Sequence, residues 1–444
     1  MAVVANGISG TPDVPTADEL AIQRRRIIIS GAMGTAIEFY DFFVYGFLAP
    51  FVLDRLFFPK LDPVVGTIAI LGTYALGYGA RPIGGILFGH WADKYGRKPV
   101  MFATLTLMGV ASTLIGLLPT YDSIGIWAPV LLIILRCFQG LALGGESTGG
   151  PIFAIESAPG GRRGFFAGLV QVGGAIGSLM AAAAGALVGL LSETDLISWG
   201  WRVPFLISIV LVGLGIYVRS RVMESPAFTR ALAEAPPERI PLVSLFQRAK
   251  KPLFIVFVCG LGESAMVNFF SVFGLFYALQ AFGLSRSTLL TGVIIGNACG
   301  LLTNPFLGRL SDLIGRRTIL IAGFIAGPLF ASFAFIPWLA TKDSLWVVIA
   351  MAIPAGLLQP SIFAIEGSFY GELFSETRLR FSGAALGRQL GNAIGGGTLP
   401  VIAAYLLSQN GGNINGPLWY YATISSLSLI AVLLAHDTRK MTMV

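Results

Sequence analysis

The chain has 444 residues, of which 55% are apolar and only 12% are charged, about half the charged share of an ordinary soluble domain. A soluble protein of this length would need a more highly charged surface, so the composition excludes a soluble globular protein and predicts a membrane protein. The net charge of +7 needs no nucleic-acid partner, because basic residues gather on one side of a membrane protein.

Twelve apolar segments are long enough to cross a membrane, which takes about 20 residues in a helix. They lie at residues 27–52, 67–91, 99–119, 127–156, 164–191, 203–219, 252–280, 288–310, 318–340, 345–369, 381–407 and 416–435. Residues 1–23 are polar and show no signal peptide, so we expect the first span to be retained.

A polar stretch rich in charges and prolines divides the twelve spans into six and six. We predict an all-α membrane protein with five parts, which are an N-terminal tail (1–26), a six-helix bundle (27–219), a linker (220–251), a second six-helix bundle (252–435) and a C-terminal tail (436–444).

The basic residues predict the orientation of these helices. If the N-terminus is cytoplasmic, 22 of the 30 lysines and arginines lie in inside segments, five lie outside and three lie within spans. Cytoplasmic loops carry the excess of lysine and arginine in membrane proteins. We therefore expect both termini in the cytoplasm and a multi-pass protein of the inner membrane.

Charged residues recur inside the predicted spans, where each costs about 2.5–3.5 kcal/mol or more to insert and is a functional candidate by default. In chain order they are Glu38, Asp41, Arg81, Arg136, Glu146, Glu263, Glu366 and Arg388. At ~1.5 Å of rise per residue, Glu38, Arg81, Glu146 and Glu263 lie at one level, about 15–16 Å from the cytoplasmic ends of their spans. We predict a polar site near the membrane midplane, where many transporters bind solute.

Glu38, Asp41 and Tyr45 share one face of the first span, because they follow each other at i, i+3 and i+7. An arginine partner favours a charged carboxylate and desolvation favours a neutral one. A carboxylate that loses its arginine during transport can therefore take up a proton. We predict that Glu38, Asp41 and Glu146 couple transport to protons, with Glu38 or Asp41 favoured. Nearer the outer mouth, we expect Asp41 to pair with Arg136. The alternative for these carboxylates is a permanent ion pair between helices.

A loop motif occurs twice, 219 positions apart, after the second and the eighth spans. The first copy runs from Gly89 to Lys98 with Asp93, Gly96 and Arg97, and the second runs from Gly308 to Arg317. A second repeated pattern places an acid before basic residues after the fourth and tenth spans, namely Glu156 with Arg162 and Arg163, and Glu372 with Arg378 and Arg380. Duplicated halves are typical of transporter folds.

These motifs carry a resemblance to a known family. The loop motif, the first span Gly34–Phe47, Arg81–Gly85, Arg136–Gly140 and Gly144–Glu146 resemble the metabolite:proton symporter family of the major facilitator superfamily. That family includes carriers of shikimate, 2-oxoglutarate, citrate, proline and betaine. The resemblance implies the major facilitator fold, two pseudo-symmetric bundles that rock about a central site, and a proton carried inward beside the solute.

The resemblance also implies a brace at the cytoplasmic face. Asp93 would lie at a helix N-terminus of the other bundle, where the helix dipole favours a carboxylate, and Arg97, Glu156 and Arg162 or Arg163 would complete a charge network that holds the outward-facing state. The basic residues on their own could equally serve membrane topology alone. The residues that we assign to conformational gating are Gly89, Asp93, Gly96, Arg97, Lys98, Glu156, Arg162, Arg163, Asp312, Gly315, Arg316, Glu372, Arg378 and Arg380.

The intramembrane arginines favour a carboxylate solute, because a guanidinium binds a carboxylate with two hydrogen bonds. We predict a proton symporter for a small organic acid, shikimate-like or another. The residues predicted to bind it are Tyr45, Arg81, Arg136, Gln139, Glu263, Arg388 and Asn392. The alternative is a zwitterion of the proline or betaine type, whose amine Phe39, Tyr40, Phe42 and Phe43 would cage.

Other classes of function have weaker support in the sequence. The three cysteines and two histidines form no cluster with metal-ligand spacing, and the sequence contains no GxxxxGK[ST] loop for ATP. We therefore expect no metal, no cofactor and no enzyme activity, since a membrane-embedded enzyme would need a metal cluster or a nucleophile–base pair. A solute sensor without transport is a further alternative. The expected partners are a small solute, protons and the lipid bilayer, and we expect a monomer.

Overall fold

The computed structural model describes residues 17–95, 97–146, 149–220, 241–374 and 376–438, all helices, turns and loops without a strand. At residues 17–20, 50–51, 63–64, 89–90, 92–95, 97–98, 146, 149, 219, 241–244 and 377–378 the description covers the backbone alone.

The first six long helices are α1 (Ala17–Leu48), α2 (Pro63–Tyr95), α3 (Arg97–Leu117), α4 (Trp127–Glu146 and Gly149–Glu156), α5 (Arg163–Val188) and α6 (Val203–Ser220). The last six are α7 (Lys250–Asn268 and Gly274–Phe282), α8 (Arg286–Ile314), α9 (Arg316–Phe330 and Ile336–Ala340), α10 (Ser344–Ile353 and Gln359–Leu373), α11 (Thr377–Gln409) and α12 (Asn415–Leu434). Short helices lie at Asp54–Phe57, Tyr121–Ile124, Glu193–Ser198, Gly200–Arg202 and Pro241–Arg248.

Eleven of these helical stretches in the described chain are long and apolar enough to cross a membrane. Helix α2 is not among these eleven, but its 33 residues span about 50 Å at ~1.5 Å per residue, which is long enough to cross a membrane. The predicted all-α fold of twelve transmembrane helices is confirmed. Helix α1, however, begins at Ala17 and not at the predicted residue 27. The error arises because hydropathy marks the membrane-crossing part of a helix and misses its polar extension.

Wide turns of the π type interrupt α7, α9 and α10 at Phe269–Phe273, Ala331–Phe335 and Pro354–Leu358, and a fourth follows α1 at Ala49–Leu53. Such turns are common at functional sites. In α10 the cause is visible in the sequence, because Pro354 has no backbone N–H to continue the helical ladder.

The two halves repeat one packing scheme. Helix α1 packs on α5 and α2 on α4 in the first half, as α7 packs on α11 and α8 on α10 in the second. Glycine permits the closest approaches, since a Cβ at Gly173 of α5 would lie 1.9 Å from the carbonyl oxygen of Ala32, and one at Gly395 of α11 would lie 2.1 Å from that of Leu261. Between the halves, α5 packs on α8 and α2 packs on α11. These two contacts are equivalent, because α2 and α5 of the first half correspond to α8 and α11 of the second.

The bundle has two ends, here called the motif face and the opposite face. The motif face holds the α8–α9 loop around Asp312 and Arg316, and the opposite face holds the exposed pair Arg55–Glu193, whose atoms lie 2.7 Å apart. Helices α5 and α8 touch along their length, from Gly164 against Gly308 at the motif face to Gly185 against Leu290 toward the opposite face. The functional side chains are therefore enclosed between the halves.

Candidate functional site

A cavity between the two halves, here called the central cavity, lies near the middle of the helices. The first half contributes Glu38 and Arg81 to its lining, and the second half contributes Glu263, Arg388 and Asn392. Aromatic side chains complete its wall, namely Phe39, Phe42, Phe43, Tyr78 and Phe363. The structure thus brings together three of the four charged residues that the sequence places at one level of the membrane.

One arginine and two carboxylates form a buried triad beside this cavity. Arg388 on α11 contacts Glu263 on α7 at 3.0 Å and Glu366 on α10 at 2.9 Å. The Tyr370 hydroxyl donates to the second oxygen of Glu263 at 2.9 Å. All three charged side chains are at least nine-tenths buried, so removing one partner would leave another uncompensated in a medium of low dielectric.

A hydrogen bond ties this triad to the first half. The Gln171 amide on α5 donates to Glu366 Oε1 at 2.6 Å. Another bridge crosses the interface at Asn268 on α7, which accepts from the Tyr74 hydroxyl at 2.9 Å and donates to the Tyr78 hydroxyl at 2.9 Å. Polar side chains in the middle of the bundle thus bind the halves to one another, so they must rearrange when the halves move apart.

Arg81 has a different environment from that of Arg388. Its guanidinium carbon lies 4.4 Å from the ring centroid of Phe42 and 4.1 Å from that of Tyr78, within the range of cation–π attraction. It makes no ion pair with any described side chain, and its Nε atom is buried without a hydrogen-bond acceptor there. A positive charge without a described carboxylate partner therefore faces the central cavity.

A second polar chain runs through the first half, outside the lining of the central cavity. Arg136 donates to Gln139 at 2.8 Å, and Gln139 donates to Ser112 at 2.6 Å. The Arg136 guanidinium stacks at 4.0 Å from the ring centroid of Tyr45, whose hydroxyl bonds Thr73. These contacts place Arg136, Gln139 and Tyr45 in one buried network.

Asp41 was expected to pair directly with Arg136, but it bonds to serine hydroxyls instead. Its Oδ1 atom accepts a hydrogen bond from Ser208 on α6, and Ser112 lies beside it. Within the described residues it makes no direct ion pair with Arg136, so the predicted pairing is corrected to a link through Ser112 and Gln139. The reason is that two hydroxyl side chains, from α3 and α6, occupy the space around the carboxylate.

Another cavity, here called the amide cavity, adjoins the central one between α5, α8 and α10. It shares Phe39, Phe43 and Phe363 with the central cavity. Its polar lining consists of neutral side chains only, namely Gln171, Ser178, Asn297, Asn304 and Gln359. The side-chain oxygens of Gln171 and Asn304 are buried without a donor among the described residues. Such amides can bind hydroxyl groups.

At the motif face, the second copy of the loop motif places Asp312 against the other half. Its two carboxylate oxygens accept from the backbone N–H groups of Gly164 and Phe165 at 2.9 and 3.0 Å. These residues begin α5, so the carboxylate lies at the positive end of the helix dipole. This is the geometry that the family resemblance implies for Asp93 in the first copy, whose side chain lies outside the described residues.

Several ion pairs surround Asp312, and two of them connect the halves. Arg316 contacts Asp312 at 2.6 Å and Glu372 at 3.3 Å, and Arg163 from the first half reaches Glu372 at 3.8 Å. Across the interface, Arg380 contacts Glu156 at 3.5 Å. We refer to these six residues, Asp312 included, as the motif-face network. Its members come from both repeated patterns in the sequence.

The remaining gating candidates are placed as follows. Arg162 is exposed at the start of α5 and makes no ion pair with a described side chain. Gly89 lies within α2, and Gly315 ends α8 with φ of 106°, a conformation that favours glycine. Gly96 and the side chains of Arg97, Lys98, Arg378 and the coupling candidate Glu146 lie outside the described residues.

Several residues of the site carry no signal in the sequence. Gln171, Ser112, Ser208 and Asn268 are neutral, and neutral polar residues are frequent in membrane helices without function. Thr438 is also unforeseen, since it lies in the predicted tail yet donates to Glu372 at 2.6 Å. Glu366 is among the charged candidates that the sequence places within the spans, but the sequence assigned it no role in coupling or solute binding.

Comparison with known proteins identifies the family. Residues 27–235 match the family described as sugar (and other) transporter, and residues 264–442 match the Major Facilitator Superfamily. The shikimate transporter of Escherichia coli (strain K12) is 35% identical over 439 residues, covering 98% of this chain and 99% of that protein. This chain belongs to the major facilitator superfamily. It is a multi-pass inner-membrane transporter and not an enzyme.

Two further comparisons place the transporter within the superfamily. The proline/betaine transporter of E. coli (strain K12) is 31% identical over 427 residues, which cover 93% of this chain and 84% of that protein. The crystal structure of a D-xylose-proton symporter superposes with a TM-score of 0.71 at 17% identity, covering 94% of this chain and 99% of that chain. The predicted resemblance to metabolite transporters of this superfamily is confirmed, and the solved structure supports the fold alone.

Proposed function

We propose that the transporter is a proton symporter that imports a small organic carboxylate by alternating access. The observation that carries this proposal is the contrast between the two arginines of the central cavity. Arg388 is neutralised by Glu263 and Glu366, whereas Arg81 makes no ion pair with a described side chain. A guanidinium enclosed in a low-dielectric cavity strongly favours an anion, and its planar fork matches a carboxylate.

The neutral lining of the amide cavity supports a hydroxylated acid within this class. A carboxylate held by Arg81 would leave the rest of the solute within reach of the amides of Gln171, Asn304 and Gln359. Buried amides left unpaired by a solute without hydroxyl groups would disfavour that solute. The relative named as a shikimate transporter supports the same class, since shikimate is a hydroxylated ring acid.

The distribution of basic residues supports an orientation of the transporter in the membrane. We propose that the motif face is cytoplasmic, that both termini lie inside, and that the protein works as a monomer whose bundles (27–219 and 252–435) move as units. The excess of basic residues on the predicted inside segments supports this orientation. The motif-face network, closed across the halves, would hold the cytoplasmic entrance shut until it separates.

A proline- or betaine-type solute is the second candidate, because Phe39, Phe43 and Phe363 line the central cavity together with Glu38 and Glu263. Aromatic faces and carboxylates attract a quaternary amine. Against it, the ring of Phe42 already has Arg81 at 4.4 Å and Arg136 at 5.4 Å from its centroid, so one wall of such a cage is occupied by cations.

Uptake into proteoliposomes under an imposed pH gradient tests the proposal. Shikimate, 2-oxoglutarate, citrate, proline and betaine are compared, and 1-cyclohexenecarboxylate serves as an acid that lacks the hydroxyl groups of shikimate. We expect gradient-driven uptake of a carboxylate, with shikimate preferred to its unhydroxylated analogue. Uptake of betaine with failure of every carboxylate would overturn the substrate class. Uptake of all the solutes that ignored the gradient would overturn proton coupling.

Replacing Arg81 by Gln is expected to raise the KM for the carboxylate by about 10- to 150-fold, which corresponds to the loss of about 1.5–3 kcal/mol for a charged hydrogen bond. The control Lys60→Gln removes the same charge from an exposed position and should leave the KM unchanged. An Arg81→Gln protein with the wild-type KM for the acid would show that Arg81 does not bind it.

A further inference from the structure

The two carboxyl groups of the buried triad differ in how their oxygens are bonded. Glu263 accepts from Arg388 at Oε1 and from the Tyr370 hydroxyl at Oε2, so both of its oxygens have donors. Glu366 has two donors on one oxygen, because Arg388 and Gln171 both contact Oε1. Its other oxygen, Oε2, is buried and receives no hydrogen bond from any described residue.

This asymmetry distinguishes a carboxylate from a carboxylic acid. A charged carboxylate accepts hydrogen bonds at both oxygens, as Glu263 does, whereas a protonated one accepts at its carbonyl oxygen and donates from the other. Glu263 and Glu366 are neighbours, because both contact the same nitrogen of Arg388, Nη2, at 3.0 and 2.9 Å. Two buried carboxyl groups placed so near each other favour sharing one proton, since two like charges at short range repel strongly.

The charged and titratable groups that face Glu366 are few among the described residues. They are Arg388 on α11, Glu263 on α7 and Glu38 on α1, with Tyr370 bonded to Glu263. Arg388 is the arginine that contacts the triad, and one arginine cannot neutralise both Glu263 and Glu366, so in the closed protein one of these two carboxyl groups is favoured to be neutral. The bonding pattern selects Glu366 for that role.

The position of Glu366 also connects it to the movement of the halves. Gln171 belongs to the first half, and its amide donates to Glu366 at 2.6 Å. This hydrogen bond requires that α5 and α10 stay together. Arg388 and Glu263 belong to the same half as Glu366 and can stay with it. Opening the interface therefore removes one donor and admits water to a carboxyl group whose remaining partners do not change.

We propose that Glu366 carries the transported proton, bound at Oε2 and donated to Glu263 while the transporter is closed. This inference deepens the proposed symport and rests on it. When the interface opens toward the cytoplasm, the O–H bond of Glu366 breaks, the proton passes to water, and a carboxylate remains. When it opens outward, that carboxylate takes a proton from external water, and closure restores the shared proton with no other reactant.

The test compares Glu366→Gln, Glu366→Asp, Glu38→Gln and Asp41→Asn in proteoliposomes, with two transport assays for each protein. Accumulation is driven by one unit of pH, which supports up to about tenfold accumulation for each proton carried with a neutral net charge. Counterflow exchange is measured without a gradient across a range of pH, because exchange does not require release of the proton and reports that the variant is folded.

Glu366→Gln should accumulate nothing above equilibrium and should exchange solute at a rate that no longer depends on pH. Glu366→Asp keeps a carboxyl group and should retain both accumulation and pH dependence. Glu38→Gln and Asp41→Asn both keep Glu366, so their counterflow exchange should remain dependent on pH whatever their transport rate. Full accumulation by Glu366→Gln, or identical behaviour of its Gln and Asp variants, would overturn the assignment, as would loss of pH dependence in Glu38→Gln alone.

Infrared spectroscopy separates this inference from the symport itself. The closed wild-type protein should show the C=O band of a buried protonated carboxyl group, and Glu366→Gln should lack it. If the wild type ignores the pH gradient but the band disappears in Glu366→Gln, the proposed symport fails while the proton on Glu366 stands. If the band persists in Glu366→Gln and disappears in Glu38→Gln, the proton belongs to Glu38 and the inference fails.

Discussion

An Asp312→Asn transporter is expected to open its motif face far more often than the wild type. Asp312 accepts from two backbone N–H groups at the start of α5 and pairs with the buried Arg316. Asparagine can accept at one oxygen, but its NH₂ group would face the N–H of the other residue. The two hydrogen bonds from α5 cross the interface, and each hydrogen bond to a charged group contributes about 1.5–3 kcal/mol, so their loss corresponds to a shift of at least about 100-fold in the open population.

Labelling of a cysteine in the central cavity measures this shift. Ser264 lines the central cavity and is buried, so Ser264→Cys, in a protein whose Cys137, Cys259 and Cys299 are replaced by Ser, reports access from one side. An impermeant maleimide applied to inside-out vesicles should react at least ten times faster in the Asp312→Asn protein. If the Asp312→Asn protein reacted at the same rate as the Ser264→Cys protein that keeps Asp312, the result would contradict a role for Asp312 in closing the motif face.

Asp343→Asn provides the matched control. Asp343 also accepts from backbone N–H groups at a helix N-terminus, those of Leu345 and Trp346 at 2.9 and 3.3 Å. It lies, however, within one half and does not bridge the interface. The same substitution there should leave the maleimide rate at its wild-type value, because asparagine is as good an N-terminal cap as aspartate.

Part of the motif-face network could be predicted from the sequence, and part of it could not. An acid after the eighth span has no role in membrane topology, so its recurrence with glycines at fixed spacing predicted a function for Asp312. The kind of partner, a helix N-terminus, was implied by the resemblance to the family and not by the residues alone, although the dipole and free N–H groups there favour a carboxylate. The pairing of Glu372 with Arg163 could not be predicted, since spacing along one chain does not give the distance between two loops.

At the middle of the bundle, the charged residues of the site could be predicted from the sequence, but the contacts between their side chains could not. Burying Glu263 and Arg388 in an apolar span is costly, so their presence indicates a site without any knowledge of the fold. Gln171 carries no such cost, and nothing in α5 indicates that its amide reaches Glu366. The choice of Glu38 or Asp41 for the proton followed from the first span alone. The hydroxyl donors around Asp41 and the two-donor oxygen of Glu366 appear only when six helices are assembled.

The glycines of the motif face lead to the second large effect, which is steric. A Cβ on Gly308 would lie 2.3 Å from the carbonyl oxygen of Gly164, and a Cβ on Gly164 would lie 2.4 Å from that of Gly308. Overpacking against side chains costs about 1–3 kcal/mol because they can shift. Here the obstacle is backbone on both sides, so α5 and α8 must separate. Gly308→Ala is therefore expected to hold the motif face open and to reduce transport more than tenfold.

Gly308→Ala should nevertheless fold and bind solute, because each half keeps its own packing. Gly213→Ala on α6 is the control, since a Cβ there would meet nothing within 4 Å, and it should transport at the wild-type rate. Transport by Gly308→Ala at that rate would show that α5 and α8 need not touch here. Because Asp312→Asn and Gly308→Ala open the same interface, their effects on maleimide labelling should not add. The double variant should label no faster than Gly308→Ala, because its interface is already held apart and the hydrogen bonds from α5 to Asp312 are already lost.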